Sequence, residues 1–62
     1  MKVTGRRVKA VRTALGESQE EFGKRFGVDI STIWRWENWR VPTHGPAAFF
    51  LDQELTKLEA SL

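Results

Sequence analysis

The chain reads as an all-α domain of four short helices. Three observations predict this. Apolar residues recur at helical spacing in four separate stretches. Residues that start and stop helices stand at the ends of those stretches. The length, 62 residues, leaves room for one domain spanning 1–62 and no second core.

The first helix is expected from about Gly5 to Leu15, with Thr4 as its N-cap. Val8, Val11 and Leu15 follow i, i+3, i+7, and Gly16 closes it. Arg6, Arg7 and Lys9 project away from that stripe. Arg12 lies at its edge. Met1 to Val3 read as a short arm.

The second and third helices form the stretch that organises the rest, Ser18 to Asn38. Ser18 is a good N-cap, and Glu21 three residues on completes a capping box. Phe22 and Phe26 fall on one face at i, i+4. Gly27 follows where a helix ends in a left-handed residue. Gly23 has no side chain, so another helix can cross closely there. Asp29 caps a third helix, about 29–37, whose inner face is Ile33 and Trp36. Thr32 points to the backbone or the helix junction. Glu20, Glu21, Lys24 and Arg25 are expected as a solvated face with pairs Glu20–Lys24 and Glu21–Arg25. Two helices joined by a tight turn, with small and apolar residues at these positions, meet the steric requirements of a helix-turn-helix.

Val41 to Pro46 is a turn segment, with His44 a loop residue and Pro46 at the first helical position. The fourth helix is expected from about 46 to 60. Ala47, Leu51, Leu55, Leu58 and Leu62 share a stripe, with Phe50 at its edge. Phe49 lands opposite, exposed, which makes this helix a candidate dimerisation element.

Composition narrows the chemistry. There is no cysteine and one histidine, so neither a disulfide framework nor a metal site is expected. No nucleophile–base pair, paired-carboxylate cleft or phosphate-cradling glycine loop is present, so no enzyme activity and no cofactor are expected. No apolar run approaches a membrane span and no signal peptide precedes the first helix, which points to the cytoplasm. The net charge is +2, but it is unevenly spread. Residues 1–12 hold Lys2, Arg6, Arg7, Lys9 and Arg12 and no acid, whereas residues 50–62 hold Asp52, Glu54 and Glu59 against Lys57. A basic end and an acidic end suit a protein that turns one side to phosphates.

The central stretch resembles the lambda-repressor and Cro-like family, also called the XRE family. The shared residues are Ser18-Gln19-Glu20-Glu21-Phe22-Gly23, Phe26-Gly27-Val28, Ser31-Thr32-Ile33 and Trp36-Glu37-Asn38. The likeness extends more weakly over Arg12 to Leu15 and Pro42 to Leu51. It implies a small lambda-repressor-like domain with a central helix-turn-helix that binds double-stranded DNA, with the third helix in the major groove. By motif position Ile30, Ser31, Trp34 and Arg35 are the expected base readers. Arg6, Arg7, Lys9, Gln19 and Arg40 are the expected phosphate contacts. Arg12 and Glu37 are expected to pair. A prokaryotic or phage-encoded transcriptional repressor, dimeric on an inverted repeat, is the leading expectation. An antitoxin or adaptor that uses exposed aromatics for a protein partner is the other.

Two positions depart from the family pattern. Trp34 stands where a polar residue is common, and Trp39 where Gly usually follows Glu-Asn. Three tryptophans within six residues exceed what one small core needs. Trp36 belongs to the core. Trp34 and Trp39 are left either partly exposed or against DNA or a second subunit, with Trp39 and Phe49 as candidate dimer contacts.

Overall fold

Side-chain caps set three of the four helix starts. The computed structural model describes residues 2–62. The Thr4 hydroxyl accepts from the Arg7 amide at 3.0 Å and opens α1, Gly5–Ala14. Ser18 opens α2, Gln19–Phe26, with both halves of the capping box formed: Glu21 N to Ser18 Oγ at 3.1 Å and Ser18 N to Glu21 Oε1 at 2.8 Å. Asp29 opens α3, Ile30–Asn38, by accepting from the Thr32 amide at 3.1 Å. His44 makes no side-chain cap bond for α4, Gly45–Ala60, where Pro46 in the first turn supplies a preset φ. The domain is therefore all-α, with four helices and no strand among the described residues.

The α2–α3 turn depends on two glycines. Gly27 ends α2 at φ +69°, where a side chain would be strained. Gly23 lets the turn fold back onto α2: a Cβ there would stand 2.7 Å from the Val28 carbonyl oxygen and 3.4 Å from Ile33 Cγ1. Sequence patterning missed a second close approach. A Cβ on Gly5 would sit on the Trp36 carbonyl oxygen, 3.0 Å from that of Glu37. The start of α1 thus abuts the end of α3.

The core gathers Val3, Val8, Val11, Phe22, Ile33, Leu51 and Leu55, with Leu15, Phe26, Val28, Trp36, Val41 and Leu58 packed around it. Each fully buried large side chain here contributes about 1.5–3 kcal/mol. Phe26 links the two helices of the turn, edge-on to Phe22 at 5.0 Å and to Trp36 at 5.7 Å. Trp36 is only partly buried, so it borders the core as much as it fills it.

Four expectations are corrected. Val3 is a core residue and not part of an arm; Met1 lies outside the described residues. The buried stripe of α4 runs through Ala48, Leu51 and Leu55; Ala47, Phe50 and Leu62 are exposed. Arg7 of α1 bonds Asp52 and Glu59 of α4, and Val3 shares a recess with Ala48 and Asp52, so the 48–52–59 side of α4 faces the start of the chain. Arg25 pairs with Glu17 across the α1–α2 connection, while Glu21 serves its own cap, so Glu21–Arg25 does not form. Glu20 and Lys24 do not pair either.

Candidate nucleic-acid interface

The tilt of α3 is fixed by a polar cluster on its inner edge. Arg12 of α1 donates to Glu37 of α3 through Nε at 2.6 Å and Nη2 at 3.1 Å. The Glu37 side chain is only 1% exposed. Arg12 Nη1 also donates to the Glu17 carbonyl at 2.9 Å. Gln19, in the first turn of α2, donates Nε2 to Glu37 Oε1 at 3.1 Å. The carboxylate therefore holds α1, α2 and α3 at one point. Its hydrogen bonds raise the Arg12 guanidinium above its ordinary range, with burial opposing. The expected Arg12–Glu37 pair is present.

That clamp leaves one face of α3 in solvent. Ile30 is 52% exposed and Trp34 53%, and Ser31, Arg35 and Asn38 are exposed beside them. Two of the polar groups are turned back on their own helix. Ser31 Oγ donates to Asp29 Oδ1 at 2.9 Å, and Asn38 Nδ2 donates to the Trp34 carbonyl at 3.0 Å. Thr32 Oγ1 also donates to Asp29 Oδ1, at 2.9 Å. These bonds, that of Ser31 foremost, hold the Asp29 carboxyl below its usual range. Arg35 has no acidic partner among the described residues, so its five donors remain unspent toward acids.

The basic residues divide sharply. Arg7 is committed inside the molecule. Its Nε and Nη2 donate to Glu59 at 2.9 Å each, Nη1 to Asp52 at 2.6 Å and to the Lys2 carbonyl at 3.3 Å, and Nη2 to Thr56 at 3.0 Å. All five donors are spent and the side chain is 11% exposed. Arg7 is thus the bolt between α1 and α4, which corrects its expected place among the phosphate contacts. The signal was present in α4: Asp52, Thr56 and Glu59 form one stripe of acceptors at i, i+4, i+7. Arg6 and Lys9 are exposed and make no ion pair among the described residues. Gln19 is half-buried with its amide on Glu37. Arg40 lies over the Trp39 ring, 5.6 Å from its centroid, a cation–π placement.

Of the ten Lys and Arg residues, Arg7, Arg12, Arg25 and Lys57 are in ion pairs. Lys2, Arg6, Lys9, Lys24, Arg35 and Arg40 have no acidic partner among the described residues. The acids are nearly all committed: Glu17, Glu37, Asp52, Glu54 and Glu59 to ion pairs, Glu21 and Asp29 to caps. Only Glu20 has neither role. Among the described residues, six cations but only three acids, Glu20, Glu21 and Asp29, have no ion pair, so the unpaired charge is predominantly cationic.

Beyond α3 the chain leaves the helix at Trp39 without the left-handed residue a glycine would give. Arg35, Trp36, Trp39, Arg40 and residues 41–44 line a shallow concavity beside α3, which sequence spacing did not reveal. Trp39 is 71% exposed and Phe49 65%. Among the described residues no cluster of His, Asp or Glu has metal-binding geometry, and no helix is long and apolar enough to cross a membrane. Set against family models, curated proteins and solved structures, the chain matches none of them.

Proposed function

We propose that the chain is a sequence-specific DNA-binding transcriptional regulator that lays α3 in the major groove. The observation that carries this reading is the distribution of charge: five of the eight acids are held in ion pairs, while six cations are left without acidic partners among the described residues. A polyanion is the partner such a surface fits. Arg35, Ile30, Ser31 and Trp34 stand on the outer face of α3 and reach base edges. Arg6, Lys9 and Arg40, with Gln19 at the start of α2, hold phosphates. The likeness of Ser18 to Asn38 to the lambda-repressor and Cro-like family supports the same assignment. Phe49 and Trp39 supply apolar surface for a second copy. The regulator then acts as a dimeric repressor on an inverted repeat with half-sites about 34 Å apart.

A second reading is a protein-interaction module of the antitoxin or adaptor kind. Exposed Phe49 and Phe50, consecutive residues of α4, favour it. Salt titration of DNA binding separates the two. Each phosphate contact adds about 0.9 to the slope of log affinity against log salt, so the regulator gives a steep fall. Weak binding with a flat slope overturns it.

A further inference from the structure

The outer face of α3 has two unlike halves. With 3.6 residues per turn, Ile30 and Trp34 lie about 40° apart and adjacent to Glu37, on the side of Arg12 and Gln19. Ser31 and Arg35 lie beyond them, toward Thr32 and the concavity beside Trp39. The first half is apolar and half-exposed. In the second, the Ser31 hydroxyl is spent on Asp29, which leaves Arg35 as the long donor. The Asn38 amide, between the halves, is folded onto its own helix.

From this we infer that Ile30 and Trp34 form a ledge that reads the C5-methyl groups of two thymines on one DNA strand. The inference rests on the proposal that α3 enters the major groove. Three features favour DNA as the occupant of the ledge. It is bordered by Arg35, which has no ion pair among the described residues, and the one acid beside it, Asp29, has its carboxylate occupied by Ser31 and Thr32 at the start of α3, which leaves Arg35 as the charge offered to a polyanion. Its chemistry matches the one apolar group that the major groove displays, the thymine methyl. Its length fits as well: four residues of helix rise about 6 Å, and bases along one strand are about 3.4 Å apart. Ile30 and Trp34 therefore address thymines one or two steps apart. Adenine edges call for a side chain amide, and the only amide on this face, Asn38, is turned back.

The test starts with the full chain and a site selected from random DNA. Each thymine of that site is replaced in turn by deoxyuridine, which removes the methyl and leaves the base pairing unchanged. Loss of about fourfold in affinity is expected at two thymines of one strand per half-site, the worth of one buried methyl each. Trp34→Ala should abolish the deoxyuridine effect at one of them and Ile30→Ser at the other. Both side chains are exposed, so the helical circular dichroism should be unchanged. Selected DNA that binds tightly but ignores every deoxyuridine overturns the ledge and leaves DNA binding standing. So does Trp34→Ala with both effects intact. Failure to select any DNA, with Trp34→Ala instead abolishing a protein contact, overturns the DNA reading and the ledge with it.

Discussion

Arg12 and Glu37 meet in a two-pronged hydrogen bond, 2.6 and 3.1 Å, that joins the first helix to the end of the third across 25 residues of chain. Gln19 closes the same carboxylate from the second helix. A planar fork on a carboxylate fixes angle as well as distance. The exposed face of α3 is therefore aimed by a residue that does not lie on it.

Arg12→Ala leaves a carboxylate that is 1% exposed with Gln19 alone. The expected cost is about 3–5 kcal/mol, read as a fall in the urea midpoint. Arg12→Met combined with Glu37→Gln should cost less than the sum of the two single changes, because no charge is then stranded. Additive losses would show that the two residues do not act as a pair.

Arg7→Met should loosen α4 from α1. Charge-assisted bonds to Asp52 and Glu59 are lost, about 2–3 kcal/mol together. The salt slope of DNA binding, scored on the fraction still folded, should not change, because no Arg7 donor is free for a phosphate. Lys9→Ala should behave oppositely, with normal stability and a slope flatter by about one unit. A flattened slope for Arg7→Met would place it at the phosphates after all.

Acid should act through the same bolt. The Glu59 carboxyl is held below its ordinary value by the Arg7 hydrogen bond. A depressed carboxyl contributes stability that is present above the unfolded value, about 4.3, and is lost as pH falls through the folded value. The urea midpoint should hold from pH 7 to about 5 and fall below that. Arg7→Met should show a shallower fall, and an equal fall in both proteins would exclude Glu59 as its source.

Gly5→Ala tests the α1–α3 junction. The added methyl meets the carbonyls of Trp36 and Glu37, so α1 must shift and carry Arg12 with it. Gly16→Ala has open space but φ +71°, and should cost only about 1–2 kcal/mol. Thermal unfolding should rank Gly5→Ala as the more damaging. The reverse order would mean that α1 moves freely.

What the sequence revealed divides by range. The Ser18–Glu21 box, the Gly27 stop and the Asp29 cap are each decided within three or four residues, and each formed as expected. The Arg12–Glu37 pair is distant in sequence; the family likeness supplied it, and helix periodicity would not have. Arg7 went astray because its partners lie 45 and 52 residues away, and a basic residue beside Arg6 and Lys9 looks like its neighbours until α4 is placed. Val3 and Ala48 were missed for the same reason: the inward side of α4 is set by what α1 and the entering chain lay against it. The outward placement of Ile30, Ser31, Trp34 and Arg35 was legible because burying Ile33 fixes the rest of a nine-residue helix.

The claim that α3 reads DNA is tested most directly by Arg35→Ala on a panel of single-base variants of the selected site. Arg35 alone among the outward residues is a planar fork able to hold guanine O6 and N7 together. The wild-type chain should lose about 1–3 kcal/mol of binding when that guanine is changed. Arg35→Ala should be indifferent at that base pair, in each half-site, and keep its preferences elsewhere. A uniform loss across the panel would make Arg35 a phosphate contact, and that result would contradict the account.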